Sequence, residues 1–347
     1  MSGNGGFAAL RLPEFSYLEP RSLQEACGLL VDSGSLPLSG GTDLLVNMKY
    51  KLLQPPRVVD IKGIADLALI QELPGGGIVL GALTTLKEIE RSALVKERFP
   101  LLAAAARSVG IPQIRNKATL GGNICLDTRC WYYNVPTFSR KPREVCSKLG
   151  GPVCHVVPGE KQGRCYALFS ADTVPVLMAL EAKVTIASAE DSRVIPLREL
   201  YSGDGVNPLT LRRGELVTEV RVPPLPAGAG GAYLKLRERG TLDFPILGIA
   251  AVLTFAEDKR TCRQARIVLT GVSSSPFEAT DAEAFLENTP LTAQAATEAA
   301  RLVRKQLRVY PLNGISARYK RSMIAEYAAR ALLQAGPAAS QEGNGRI

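Results

Sequence analysis

A chain of 347 residues with 46% apolar and 22% charged side chains has room for two or three domains and the balance of a folded globular protein, which excludes a disordered one. No apolar run approaches the ~20 residues that cross a bilayer, so no membrane insertion is expected. The formal net charge of +9 is spread along the chain and only 6% of residues are aromatic, which argues against nucleic acid and for an acidic partner subunit or an anionic ligand.

The start, "MSGNGGFAALRLPEF", lacks a basic region followed by a long apolar core, so the expected compartment is the cytoplasm. Ser22 opens an amphipathic helix with Leu23, Ala26, Cys27, Leu30 and Val31 on one face; Ser22 and Glu25 make a capping box, and Gly34 ends it. Cys27 reads as a small core residue. "SLPLSGGTDLL" reads as a strand, a glycine turn and a helix capped by Thr42 or Asp43. "RVVDI" and "GIVLGAL" are short strands. A capping box of Thr85 and Glu88 opens "TLKEIERSALVKE". "FPLLAAAARSVG" is a helix stopping at Gly110, and "NKATLGGNI" is expected as a strand broken by two glycines. The stretch from Cys125 to Cys165 has no period, and so long an irregular segment points to a function or to disorder. "ADTVPVLMALEAKVTIAS" gives a helix and a strand, and "GELVTEVRVPPLPAGAGG" a strand and a link near 223–231. "AYLKLRER", "PILGIAAVLTFAED" and "CRQARIVLTGVSSSP" are consecutive antiparallel strands. Two helices follow, "AQAATEAARLVRKQLRVY" and "SARYKRSMIAEYAARALLQA", and residues 336–347 read as a disordered tail.

Five of the seven cysteines, Cys125, Cys130, Cys146, Cys154 and Cys165, fall within about forty residues. Crowding of this kind signals a disulfide framework, a zinc site or an iron–sulfur cluster. A reducing compartment and an odd total weigh against disulfides. The spacing lacks the paired C-x-x-C knuckles of common structural zinc sites. His155, the single histidine, reads as a polar neighbour of Cys154. Lys141, Arg143, Lys148, Lys161 and Arg164 surround the cysteines, by default as solvated loop charges and otherwise as an offset to an anionic centre.

"SGGTDLL" and "TLGGNI" are two Gly-Gly turns beside small hydroxyl and carboxamide or carboxylate side chains. Either alone could be only a tight turn. Together they could grip a pyrophosphate from two sides, because glycines let backbone N–H groups approach an anion and a helix start adds positive potential. Neither is a Rossmann or P-loop fingerprint.

"LPLSGGTDLL", "LGALTTLKEI", "IRNKATLGGNI" and "FSADTVPVLMAL", in that order, resemble the FAD-binding subunit of the molybdenum hydroxylases, the xanthine dehydrogenase and carbon monoxide dehydrogenase family, over roughly residues 10–335. The resemblance implies an α+β chain. A PCMH-like FAD-binding domain of two subdomains would span 1–225, with a cysteine-rich insertion at about 125–166. A CO dehydrogenase flavoprotein C-terminal-like domain, an antiparallel sheet with helices, would span 230–335. "LGGNICLDTRC", "YYN", "VCHVVP" and the last cysteine before "ALFSAD" further resemble the flavin subunit of the 4-hydroxybenzoyl-CoA reductase family. That likeness implies a [4Fe-4S] cluster on Cys130, Cys146, Cys154 and Cys165, with Cys125 not a ligand. FAD would be held by Gly40, Gly41, Thr42, Asp43 and Leu44 on one side and by Thr119, Gly122 and Asn123 on the other. Asp172 would hydrogen-bond flavin hydroxyls, unless it only caps the next helix. Lys235 would lie near the isoalloxazine ring, unless it is a solvent-facing strand residue.

No substrate catalysis is expected on this chain. The implied partners are a molybdenum–molybdopterin large subunit, a small subunit with [2Fe-2S] clusters, and ferredoxin, in a dimer of heterotrimers. The implied role is electron transfer for reductive dehydroxylation of an aromatic acyl-CoA, or alternatively for a related hydroxylase or dehydrogenase with the cluster as electron exit.

Overall fold

The computed structural model describes residues 11–140, 143–157, 159, 163–310 and 315–337. The ten residues 338–347 of the expected tail, and Lys141 and Lys161, lie outside the described residues.

The chain opens with a small parallel sheet. Strands β1 (Ser16–Leu18) and β2 (Ser35–Leu38) flank β3 (Arg57–Asp60), with α1 (Leu23–Leu30) between β1 and β2 and α2 (Leu44–Lys49) between β2 and β3. Alternation along β3 assigns its faces: Val59 packs with Ala26, Cys27 and Leu30 of α1, whereas Val58 packs with Met48 of α2. Ser22 caps α1 as expected, accepting from Glu25 N–H at 3.1 Å. The Glu25 carboxylate, however, accepts from Arg21 N–H, so the reciprocal box is not closed. Val31 is also exposed rather than on the core face, because α1 ends at Leu30.

Five antiparallel strands in the order β4-β5-β8-β6-β7 form the second sheet: β4 (Ile70–Glu72), β5 (Ile78–Gly81), β6 (Lys183–Ala187), β7 (Ser192–Pro196) and β8 (Leu216–Val222). Helices α3 (Leu86–Arg91), α4 (Ala93–Arg98), α5 (Pro100–Ser108), α6 (Pro112–Arg115), α7 (Leu120–Ile124), α8 (Thr137–Arg140) and α9 (Thr173–Ala179) lie between β5 and β6. The Thr85–Glu88 capping box is present, and Ser92 divides the expected single helix into α3 and α4. The expected strand over "NKATLGGNI" is instead α7. Thr119 caps it by accepting from Gly122 N–H, and Gly121 presses so closely on Ala82 that a Cβ would approach its side chain to 2.9 Å.

The third sheet is antiparallel and five-stranded: β9 (Gly230–Leu236), β10 (Leu247–Phe255), β11 (Thr261–Thr270), β12 (Phe277–Glu278) and β13 (Thr289–Pro290), the last two both paired with β11, with α10 (Thr280–Leu286), α11 (Ala293–Gln306) and α12 (Ala317–Gln334) packed on it. β10 is apolar on both faces for a structural reason. Ala250 and Val252 join the core formed by α9 and the second sheet, while Leu247, Ile249, Ala251 and Leu253 join the core under α11 and α12. β11 divides in the same way, with Val268 in the first core and Ile267 and Leu269 in the second, so the two halves meet through shared strands of this sheet.

Candidate functional site

The two glycine turns meet in space. After β2, Gly40 and Gly41 reverse the chain and α2 begins with Asp43 at its N-cap position. No side chain fits at Gly40, where a Cβ would lie 1.9 Å from the Lys117 carbonyl oxygen, and Gly41 adopts φ +69°. Ser39 Oγ lies 3.0 Å from Thr119 Oγ1. A Cβ on Gly122 would crowd both hydroxyls. Residues 40–44 are half-buried and Gly122 is exposed, so a rim of backbone and small polar groups stays within reach of a ligand. This rim suits an anion such as a pyrophosphate.

The remaining expected flavin residues, Asn123, Asp172 and Lys235, are each bonded to side chains of this chain. Asn123 Oδ1 accepts from Thr173 N–H at 3.3 Å and Thr173 Oγ1 at 2.6 Å. The second glycine turn thereby caps α9, the alternative role the sequence allowed Asp172. Asp172 holds the N-cap position without a side-chain capping bond. Its carboxylate accepts from Tyr233 Oη at 2.7 Å and Lys235 Nζ at 2.8 Å, and Lys235 also donates to the Ser108 carbonyl at 3.0 Å. Lys235 is thus not a solvent-facing strand residue: its side chain and that of Asp172 are only 6% and 4% exposed. Burial lifts the Asp172 carboxyl above its ordinary range against the pull of Lys235 and Tyr233. Burial and the facing carboxylate also push the Tyr233 phenol well above its own range.

The cysteine insertion is pinned at three places. At its neck Arg129 and Leu168 exchange backbone hydrogen bonds of 2.7 and 2.8 Å. Along its flank Thr137 Oγ1 donates to the carbonyls of Tyr50 and Lys51, just past α2. At its base the Arg129 guanidinium pairs with Asp43 of the first glycine turn and lies 4.6 Å from the centre of the Phe244 ring. Lys148 is not a solvated loop charge: its ammonium is buried against Asp127 Oδ1, Thr128 Oγ1 and the Gly205 carbonyl at 2.6–2.8 Å. Arg143 and Arg164 lie over the rings of Tyr132 and Tyr166.

Inside the insertion Cys130, Cys146, Cys154 and Cys165 all line one small cavity, shared with Tyr132, Lys148 and His155. Cys125 is not among its lining residues, and burial pushes its thiol up to about 12. His155 packs on Tyr132 and its Nε2 lies 2.8 Å from the Glu144 carbonyl. All seven cysteines are free thiols. Among the described residues no three His, Cys, Asp or Glu side chains are arranged to hold a single metal ion. Four sulfurs around one cavity fit a larger group with four thiolate ligands. Backbone N–H groups of Tyr132 and Tyr133 point at the Cys130 sulfur, and Ala167 N–H lies 3.5 Å from Cys165 Sγ. Burial raises the Cys130 thiol and lifts that of Cys165 to about 11; these donors, and Lys148 for Cys165, oppose the rise. Ser147 Oγ, on the same cavity, is buried without a partner. Such an orphan costs about 1–3 kcal/mol, which a sulfur acceptor would offset.

Sequence reasoning missed Ser39, Arg129 and Tyr233. Ser39 directly precedes the first Gly-Gly pair, and Tyr233 stands two residues before Lys235 on the same strand face, so both carried a local signal; Arg129 carried none.

Residues 13–225 match the family described as the FAD binding domain in molybdopterin dehydrogenase, and residues 232–335 match the CO dehydrogenase flavoprotein C-terminal domain. The chain is 29% identical over 334 residues to the 6-hydroxypseudooxynicotine dehydrogenase complex subunit alpha of Paenarthrobacter nicotinovorans, covering 94% of this chain and 98% of that one. It is 30% identical over 290 residues to the carbon monoxide dehydrogenase medium chain of Hydrogenophaga pseudoflava, covering 83% and 85%. A solved carbon monoxide dehydrogenase from the same organism superposes with a TM-score of 0.78 at 29% identity, over 94% of this chain and 99% of that chain. With a matched FAD-binding domain across most of its length, the chain belongs to the FAD-binding medium subunits of the molybdenum hydroxylases, the xanthine dehydrogenase and carbon monoxide dehydrogenase family.

Proposed function

We propose that this chain is the electron-transfer subunit of a 4-hydroxybenzoyl-CoA reductase-like enzyme. Its large partner would carry molybdenum and molybdopterin, its small partner two [2Fe-2S] clusters, and the whole would pair as a dimer of heterotrimers in the cytoplasm. The observation that carries this reading is the convergence of Cys130, Cys146, Cys154 and Cys165 on one cavity inside an insertion braced against the first glycine turn.

Bound there, a [4Fe-4S] cluster would supply one-electron exchange, and FAD its coupling to two-electron chemistry. The residues of this chain bind and position both groups. Gly40, Gly41, Thr42, Asp43 and Leu44 would face the FAD pyrophosphate from one side, and Thr119, Gly122 and Asn123 from the other. The Asp172–Lys235 pair would place a buried, oriented dipole beside the flavin and lock α9 to β9. Lys148 and the N–H groups at the sulfurs would hold negative charge in the cysteine cavity.

An extra one-electron centre on this subunit suits entry of electrons from ferredoxin, hence the reductive direction. A second reading has support of its own: the relatives named above are called dehydrogenases. The same subunit would then serve such an enzyme on another substrate, with the cluster as electron exit.

The test is turnover by the assembled complex. Reduced ferredoxin should drive conversion of 4-hydroxybenzoyl-CoA to benzoyl-CoA, read by chromatography. No conversion, together with substrate-driven reduction of ferredoxin by another compound, would favour the second reading.

A further inference from the structure

Between the end of α11 and the first turns of α12 lies an open cleft lined by five cations, Arg304, Lys305, Arg308, Arg318 and Arg321, and by no acidic side chain. All five are exposed. Among the described residues Arg304, Lys305, Arg318 and Arg321 enter no ion pair. Arg318 and Arg321 stand three residues apart on one helix face, and Arg304 and Lys305 share the last turn of the other helix. Like charges three residues apart on one helix face, as at Arg318 and Arg321, repel. An anionic partner would relieve that repulsion.

The cleft leads toward the cysteine cavity. The Arg308 guanidinium lies 5.6 Å from the centre of the Tyr310 ring. Tyr310 packs edge-on against Tyr166, with ring centres 5.0 Å apart at 61°. Tyr166 lines the cysteine cavity next to Cys165, and Arg164 over its ring adds a sixth cation. None of the five cleft cations is buried, so nothing encloses a single phosphate. A broad basic surface spread over two helix ends suits a carboxylate-covered protein face.

We propose that this cleft is the docking surface for a small acidic electron-carrier protein. The inference rests on reading the four cysteines as an iron–sulfur site, because that site gives a carrier docked here its destination.

The assembled complex, with this chain and its partner subunits, would be titrated with an oxidised bacterial ferredoxin of strongly negative charge. Binding should weaken steeply with salt, and Arg318→Glu/Arg321→Glu should raise Kd at least tenfold at low ionic strength. A charge-matched control on other exposed arginines, Arg91→Glu/Arg213→Glu, should change Kd less than threefold. Equal loss in the control, or an unchanged Kd in the cleft variant, would overturn the proposal. So would loss of the partner subunits from the cleft variant, which would make the cleft a subunit interface, or displacement of ferredoxin by coenzyme A at constant ionic strength. EPR of the same wild-type sample separates the two readings. Signal present with an unchanged Kd sinks the docking surface alone, whereas no [4Fe-4S] signal sinks the iron–sulfur reading and the docking proposal with it.

Discussion

Among the described residues three lysine side chains lie in the interior, and their partners determine what each contributes. Lys320 donates to the Gly271 carbonyl, and burial lowers its pKa from 10.5 to about 8. A depressed folded-state pKa means that the unfolded chain holds the proton more tightly, so stability should rise as pH climbs from the folded to the unfolded value and fall on the way back. Across pH 8 to 10 wild type should gain roughly 2–3 kcal/mol relative to Lys320→Met. Denaturant midpoints at several pH values would show it, and parallel profiles for the two proteins would refute it. Lys235 faces the carboxylate of Asp172 across 63 residues of sequence. Removing one partner of a buried pair leaves an uncompensated charge, so Lys235→Met or Asp172→Ala should each cost about 3–5 kcal/mol. The double variant should cost clearly less than their sum, and additive losses would show that the pair is not coupled. The sequence pattern marked Asp172 and Lys235 as residues of interest by family likeness. It could not disclose that they bond each other, because the contact depends on how β9 packs against α9. Lys148 was legible only as one basic residue among several; its three acceptors come from the insertion base and from the remote loop at Gly205.

At the scale of elements, local chemistry was the readable part. The hydroxyls of Ser22 and Thr85 cap the helices where the sequence places them, since a cap is decided within four residues. "TLGGNI" misled because two glycines argue against a helix. What decides it is the Thr119 cap together with close packing on Ala82, and that packing partner is remote in sequence. The meeting of the two glycine turns yields a direct prediction. Gly40→Ala would drive a methyl into the Lys117 carbonyl and part Ser39 from Thr119. The purified variant should keep its fold by circular dichroism yet retain less than a tenth of the wild-type flavin absorbance per chain. Full flavin content would show that the turns do not form the pyrophosphate grip. The cysteine insertion shows no period, and its order comes from clamps to other elements. Thr137→Val removes the hydroxyl's bonds to the Tyr50 and Lys51 carbonyls and leaves only the backbone N–H bond to Tyr50 at that clamp. Limited proteolysis should then cut within residues 130–167 several times faster than in wild type, with the rest of the chain intact; unchanged cleavage would mean that the clamps are dispensable.

For the whole molecule, the shared strands β10 and β11 join the core around α9 to the core under α11 and α12. The Asp172–Lys235 pair and the Arg129–Asp43 pair fix the cysteine insertion and the glycine turns within the same framework. Two candidate cofactor sites are therefore tied to one framework, as the proposed electron transfer between them would need. The proposed wire stands on iron held by the four cysteines. The most direct measurement is iron, zinc and FAD content of the anaerobically purified complex, with EPR after dithionite reduction, for wild type and Cys146→Ser. The account predicts about four irons per chain beyond those of the small subunit, and a [4Fe-4S] signal that disappears in the variant while FAD is retained. Zinc in place of that iron, or a spectrum unaffected by Cys146→Ser, would contradict it.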